Sequence, residues 1–358
     1  MTTVMVIAGG TGGHVYPALA VARELRNQGI AVVWVGTRRG IEARVVPAAG
    51  FDLECITMRG LRRTGWMSWV LMPVRLGIAV FQVWRIMRRR RPDAVLAMGG
   101  FVSAPGGLVA WLQRCPLLIH EQNAVAGLTN RWLAYLATTV MCGFPEAFGT
   151  LPGARHVGNP VRAEILALPE PVARMAGRDS PLRILVVGGS QGALVFNKVV
   201  PEAVAGLTHR FSLQIWHQAG RSERQRTEQA YRMATADARV TEFIDDMAQA
   251  YGWADVLICR AGAMTIAEIA ASGVAAILVP YPHAVDDHQT ANARFLSDRD
   301  AAVLIPQGEF DVARVTELLA GFATNRALLQ KMAINARACA VTDATDTVAR
   351  LCLEAANA

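Results

Sequence analysis

Two α/β halves, each a parallel sheet with helices on both faces, are predicted from three observations. Short apolar runs alternate with helical segments along most of the chain. Two glycine-rich turns lie half a chain apart, each directly after an apolar strand. Ala8-Gly9-Gly10-Thr11-Gly12-Gly13-His14 follows residues 4–7, and Gly188-Gly189-Ser190-Gln191-Gly192 follows residues 184–187. The length, 358 residues, suits about two domains. Glycine lets the backbone turn tightly and approach a ligand, and a strand that runs through such a turn into a helix points N–H groups at an anion. Each half is therefore expected to hold a phosphate, and the whole to join two phosphorylated molecules in a cleft.

In the first half, strands are expected at 4–7, 31–35, 93–98 and 117–120, with a helix at 16–28 closed by Gly29. Residues 93–98 feed Gly99-Gly100, and Ser103-Ala104-Pro105-Gly106-Gly107 opens a helix through Trp111. Gly158-Asn159-Pro160 reads as a hinge, and 168–181 as a loop. The alternation then restarts with strands at 183–187, 213–216, 240–243, 256–259 and 276–279. A last helix, about 347–354, is expected to pack back on the first half.

Composition fits packed cores: 53% of residues are hydrophobic and 18% charged. A net charge of +7 favours anionic partners without choosing among nucleotide, nucleic acid and lipid. The six cysteines (55, 115, 142, 259, 339, 352) are scattered without C-x-x-C, as in a reduced, cytosolic protein. No signal peptide is expected, because the first strand begins almost at Met1. The most apolar stretch, 66–87, is interrupted by Pro73, Arg75, Gln82 and Arg85 and does not read as a membrane span.

The first glycine loop fits a dinucleotide fingerprint poorly. It lacks the third glycine, and the second strand ends in Gly36-Thr37-Arg38-Arg39, without a carboxylate for a ribose diol. No Gly-Lys-Ser/Thr follows, which excludes a P-loop. His14 stands where loop becomes helix, with Pro17 just inside the first turn. A positive imidazolium is disfavoured there, which suits a neutral general base; a lone histidine is more often structural, and the place of this one beside a phosphate-type loop brings the two readings level.

Gly99 to Gly107 either shares an anion with Gly12-Gly13 or serves close helix packing. His120-Glu121-Gln122-Asn123 is a polar cluster beyond the carboxyl end of a parallel strand, where ligands bind. In the second half, Ser190 offers a hydroxyl beside its loop amides. Cys259-Arg260-Ala261-Gly262-Ala263-Met264-Thr265-Ile266-Ala267-Glu268 runs from strand to helix. There Glu268 either accepts ribose hydroxyls or lies on a solvated face. Residues 283–292, with Asp287, His288, Gln289 and Asn292, form a polar run suited to sugar hydroxyls. Asp298-Arg299-Asp300 reads as a turn and Asp245-Asp246 as a helix N-cap, so no tightly bound metal is expected.

Residues 59–91 carry nine arginines and no acid. Trp66, Trp69, Phe81, Trp84 and aliphatic residues are interleaved among them. An interfacial helix on anionic lipid is the leading reading and a core helix with a basic end the second. A polar groove for nucleic acid is disfavoured by the aliphatic residues.

Taken together, these motifs resemble those of the peptidoglycan N-acetylglucosaminyltransferases, the family that makes lipid II from lipid I. The resemblance covers nearly the whole chain. It rests on Gly9–His14, Met98–Gly107, His120–Asn123, Gly158-Asn159-Pro160-Val161-Arg162, Gly188–Ala193, Phe243-Ile244-Asp245-Asp246-Met247 and Arg260–Thr265. It implies a GT-B glycosyltransferase fold, two Rossmann-like domains with parallel sheets facing across a cleft. Residues 1–162 would form the acceptor and membrane-facing domain, 163–340 the UDP-sugar donor domain, and 341–358 a helix returning to the first.

The implied activity is inverting transfer of N-acetylglucosamine from UDP-N-acetylglucosamine to the 4-hydroxyl of lipid I, with no cofactor. His14 would act as base, assisted by Glu121. The implied donor-binding residues are Thr11, Gly12, Gly13, Asn123, Arg162, Ser190, Ile244, Ala263, Met264, Thr265, Ile266, Ala267, Glu268 and Gln289. Trp66, Trp69, Phe81 and Trp84 would rest on an anionic membrane surface, at the cytoplasmic face of the bacterial inner membrane. Other cell-wall synthesis or division proteins are implied partners, and nucleic acid is not. The chain departs from the family at His288-Gln289, where paired glutamines are usual, and at Ile266-Ala267, where other members place Val-Ser. A nicotinamide-dependent oxidoreductase and a non-catalytic nucleotide- and membrane-binding module remain the alternatives.

Overall fold

The computed structural model describes residues 2–58, 72–149, 151–189 and 191–358. Its first sheet contains β1 (Thr3–Ile7), β2 (Ala31–Gly36), β3 (Asp52–Cys55), β4 (Ala94–Ala97), β5 (Leu117–Glu121), β6 (Thr139–Cys142) and β7 (Ala154–His156). They are ordered β3-β2-β1-β4-β5-β6-β7, and every pairing is parallel. The second sheet contains β8 (Leu182–Val187), β9 (Leu213–Gln218), β10 (Asp237–Thr241), β11 (Val256–Cys259), β12 (Ala275–Leu278) and β13 (Ala302–Leu304). Its order is β10-β9-β8-β11-β12-β13, again all parallel.

Both sheets are doubly wound, because their central strands are apolar on both faces. In β1, Val4 and Val6 enter one core with the helix Gly12–Asn27, whereas Met5 and Ile7 enter the other with Met72–Arg90. All four are fully buried, each side chain contributing roughly 1.5–3 kcal/mol. In the second sheet, Ile184, Val186, Ile258 and Ile277 pack with Phe196 and Val200 of the helix Leu194–Ala205.

The chain divides into two compact units, Met1–Arg162 with Val341–Ala358, and Ala163–Ala340. The closing helix Ala344–Ala356 buries Val348, Ala349, Leu351 and Cys352 in the core that holds Val4 and Val6.

Three differences from the sequence reading have physical causes. The helix expected at 16–28 begins at Gly12, because the Thr11 carbonyl accepts from the His14 and Val15 amides at 3.1 and 3.2 Å. His14 therefore lies within the first turn. β3, β7 and β10 are edge strands with polar alternation, which hid the first two and shifted the third from 240–243 to Asp237–Thr241. β6 is short and abuts a turn, which concealed it.

Candidate functional site

Each sheet reverses its strand order once, between β1 and β4 and between β8 and β11. Ligands of doubly wound sheets bind beyond the carboxyl ends at such a switch point. The two strands flanking each switch lead into glycine-rich turns or into Arg260-Ala261-Gly262, so each unit carries its own candidate site.

In the first unit, Gly99 and Gly100 have φ of +93° and +81°, a left-handed conformation that favours glycine. A Cβ on Gly99 would stand 2.8 Å from His14 Nδ1, and one on Gly100 would stand 2.4 Å from the Gly9 carbonyl oxygen. This turn thus makes room for the His14 ring. Gly106 and Gly107 serve the packing role, since their Cβ atoms would strike Ile7 and Leu133.

His14 Nδ1 is 2.8 Å from Gln122 Oε1. Gln122 Nε2 is 3.1 Å from His120 Nδ1, and His120 Nε2 is 2.9 Å from the Gly158 carbonyl oxygen. His120 is wholly buried, and desolvation lowers its pKa to about 4. Asn159 ties the segment further, its Nδ2 donating to the Gln122 carbonyl at 2.9 Å.

Glu121, expected to assist His14, has four hydrogen-bond donors of its own. Its Oε1 accepts from the Asn123 backbone and side-chain amides at 3.0 and 3.1 Å. Its Oε2 accepts from Gly127 N at 3.1 Å and Asn130 Nδ2 at 2.8 Å. A buried side chain that accepts from four donors organises the segment that follows it, up to the helix Leu128–Leu133. Asn123 is part of this arrangement. Thr11 caps the first helix through its carbonyl and is exposed, Gly12 and Gly13 form the first turn, and Arg162 closes the first unit half-buried.

The sequence reading missed Glu42, which is fully buried at the carboxyl end of β2. Its Oε1 accepts from the Thr37 amide and hydroxyl at 3.0 and 2.7 Å, and its Oε2 accepts from Gly10 N at 3.1 Å. The Gly10 amide is thereby spent on the protein itself. The signal was Gly9, Gly36 and Gly40, whose Cβ atoms would all strike the Glu42 side chain.

In the second unit, two glycine turns cross backbone to backbone. A Cβ on Gly192 would lie 2.1 Å from the Ala219 carbonyl oxygen, and one on Gly220 would lie 2.3 Å from that of Gln191. Gln218 Nε2 donates to the Gly189 carbonyl at 2.8 Å. Ser190 lies outside the described residues.

After β11, Gly262 caps the helix Ala263–Ser272, whose first-turn amides stand at the switch point. Met264, Thr265, Ala267 and Glu268 are part-exposed, whereas Ala263 and Ile266 are buried and offer only backbone. Glu268 Oε2 accepts from the Tyr251 hydroxyl at 3.0 Å, a partner the sequence reading did not find. At the other end of this helix, Arg174 donates to the carbonyls of Ser272 and Gly273, and Arg337 to that of Ala271. Cations there oppose the negative end of the helix dipole.

Arg260 is held by the carbonyls of Val279 and Pro280, both at 3.2 Å, and by Gln307 Oε1 at 2.6 Å. Ile244 is buried beside the exposed Phe243. Gln289 Oε1 accepts from Tyr281 N at 2.8 Å. Asn292, expected at the sugar, is instead wholly buried, and its Nδ2 donates to the Ala261 carbonyl at 3.1 Å. Asp246 caps the helix Met247–Trp253, accepting from Gln249 N at 2.8 Å, as its sequence context suggests. No group of three metal-ligating side chains occurs among the described residues.

The helix Met72–Arg90 turns Ala79, Val83, Ile86 and Met87 inward. It exposes Val74, Ile78, Phe81 (61%) and Trp84 (42%), spaced as one helical stripe. Phe81 stacks on Trp84, and the Arg88 guanidinium lies over the Trp84 ring. Arg89 and Arg90 are paired with Glu54. Trp111, half exposed, ends the neighbouring helix Ser103–Leu112. Trp66 and Trp69 lie outside the described residues, and no described helix is long and apolar enough to cross a membrane.

Residues 4–142 match the glycosyltransferase family 28 N-terminal domain, and residues 183–348 the family 28 C-terminal domain. The chain is 53% identical over 356 residues to the UDP-N-acetylglucosamine--N-acetylmuramyl-(pentapeptide) pyrophosphoryl-undecaprenol N-acetylglucosamine transferase of Alkalilimnicola ehrlichii, covering 99% of both chains. It is 50% identical over 359 residues to the protein of the same name from Ralstonia nicotianae, covering 99% of this chain and 97% of that one. The crystal structure of Acinetobacter baumannii MurG superposes with a TM-score of 0.85 at 41% identity, covering 99% of this chain and all of that one. The two Rossmann-like units are those of a GT-B fold. The chain is an enzyme of glycosyltransferase family 28 and belongs, within it, to the MurG family of N-acetylglucosamine transferases.

Proposed function

We propose that this enzyme transfers N-acetylglucosamine from UDP-N-acetylglucosamine to the 4-hydroxyl of a lipid-linked N-acetylmuramyl-pentapeptide diphosphate, converting lipid I to lipid II. The observation that carries this reading is the full-length kinship, at 53% identity, with a transferase of that name. Residues 1–162 with the closing helix take the acceptor, and residues 163–340 take the donor.

In the reaction, His14 Nε2 takes the proton of the muramyl 4-hydroxyl. The oxygen forms a bond to the anomeric carbon from the face opposite UDP, and the bond to the β-phosphate oxygen breaks, so configuration inverts. The electron pair leaves on UDP. The first-turn amides of the helix Ala263–Ser272 and Ser190 stabilise that growing charge, with Thr11, Gly12, Gly13, Asn123 and Arg162 contributing from the first unit. Met264, Thr265, Ala267 and Gln289 contact the sugar and phosphates, together with the backbone of Ala263 and Ile266. The Ile244 backbone meets uracil, and Glu268 accepts the ribose hydroxyls. Glu121 holds the segment from the end of β5 to Asn130 beside this site.

The lipid tail stays in the bilayer while Phe81 and Trp84, with Trp66 and Trp69, rest on the anionic cytoplasmic face of the inner membrane. The exposed stripe on Met72–Arg90 supports this, since contiguous apolar surface of this kind marks an interaction site.

The test is UDP release from UDP-N-acetylglucosamine in EDTA, with and without a short-chain lipid I analogue. Release that depends on the acceptor is expected. Release that ignores the acceptor, or tight NADPH binding without sugar-nucleotide binding, would overturn the reading.

A further inference from the structure

We propose that Gln122 and His120 are positioning residues that fix His14 with its proton on Nδ1, leaving Nε2 as the basic nitrogen. The inference rests on the reading of His14 as the general base and adds how the protein selects which ring nitrogen is basic.

The argument starts at an atom whose role is unambiguous. The Gly158 carbonyl can only accept, so His120 Nε2, 2.9 Å away, carries a hydrogen. His120 is wholly buried and neutral, so its Nδ1 has a lone pair and accepts. Gln122 Nε2 stands 3.1 Å from that nitrogen and 3.2 Å from the His120 carbonyl oxygen. Two acceptors on one side admit only the amide NH₂, which settles the orientation of the Gln122 side chain. Its Oε1 then faces His14 Nδ1 at 2.8 Å and accepts from it. His14 is left with its lone pair on Nε2, which no described residue engages. A histidine's tautomer is set by the hydrogen bond its other nitrogen makes, and here three such bonds in series lead back to one backbone carbonyl.

The relay is held rigidly. The Gln122 carbonyl accepts from Asn159 at 2.9 Å, and the His120 carbonyl accepts from Asn130 at 3.2 Å. Gly158 has a φ of +76°, and a Cβ there would lie 2.5 Å from Val341 Cβ, so the terminal carbonyl is fixed where the chain returns to the first unit. The Gly99 turn closes on the His14 ring itself.

The experiment is nitrogen NMR of the full chain labelled with ¹⁵N-histidine, at about pH 8, where an ordinary histidine is neutral. His14 is expected in the Nδ1–H form and His120 in the Nε2–H form. In Gln122→Met, His14 should shift toward Nε2–H, and kcat for acceptor-dependent UDP release should fall about tenfold to a hundredfold. The donor KM should stay within about twofold. Wild-type His14 found as Nε2–H, or a tautomer unchanged in Gln122→Met, would overturn the relay without reference to any activity. A tautomer that shifts while kcat stays constant would uphold the relay and remove the general-base reading.

Discussion

The Tyr251 hydroxyl donates to Glu268 Oε2 across 3.0 Å, and Tyr251 itself is almost completely buried. A carboxylate on the first turns of a helix is mobile by default, and this bond fixes the direction in which Glu268 presents its oxygens. Tyr251→Phe is expected to raise the donor KM about threefold to tenfold with kcat nearly unchanged, the scale of one ordinary hydrogen bond. Glu268→Ala should raise it further. Steady-state UDP release at varied donor concentration checks both, and an unaltered KM in Glu268→Ala would remove the ribose assignment.

His14→Ala is expected to lower kcat about a hundredfold or more while leaving donor affinity intact. The comparison is kcat from acceptor-dependent turnover against donor Kd from calorimetry. Equal losses in both would point to a structural histidine instead.

Gly99→Ala should cost activity by displacing the His14 ring. The added methyl would meet the imidazole at 2.8 Å on a backbone with φ of +93°. Strain of this kind costs of order 1–3 kcal/mol. A lower Tm together with a fall in kcat is the expected pair, and wild-type kinetics would show that the ring has room to move.

Stability should fall with acid through two histidines. Burial lowers the pKa of His120 to about 4 and of His217 to about 3, against 6.5 when unfolded. Between pH 6.5 and 4 the unfolded chain takes up protons that the folded chain refuses, so the contribution is complete above 6.5 and lost on acidification. His120 alone would cost about 3 kcal/mol over that window. Urea unfolding at a series of pH values measures the slope, and His120→Gln should flatten part of it.

Replacing Phe81, Trp84 and Trp111 by serine should weaken association with anionic liposomes while leaving turnover of a short-chain acceptor unchanged. Flotation assays at low and high salt separate the apolar from the electrostatic share. Undiminished flotation would argue that this helix face meets something other than lipid.

Some of the site was legible because its residues are consecutive. Glycines after an apolar strand, and a histidine after those glycines, announce a loop at a sheet's carboxyl edge whatever the rest of the chain does. Glu42, Gln122 and Tyr251 were illegible as partners, because each acts on a residue far away in sequence or across a turn, and none lies in a periodic pattern. The part given to Glu121 shows the opposite hazard. An acid in a polar cluster invites a catalytic reading, and only the fold shows that its donors are Asn123, Gly127 and Asn130 of the segment that follows it.

The sequence by itself determined two doubly wound α/β halves, since apolar strands that read as continuous runs must be covered on both faces. It also determined the family, through motifs that need no folding to be seen. Only the tertiary structure decided what each polar group faces. Hydrogen-bond direction depends on positions brought within 3 Å by strands and turns far apart in the chain. That is why His14, His120 and Gly158 become one chain of donors and acceptors only when the first unit is folded.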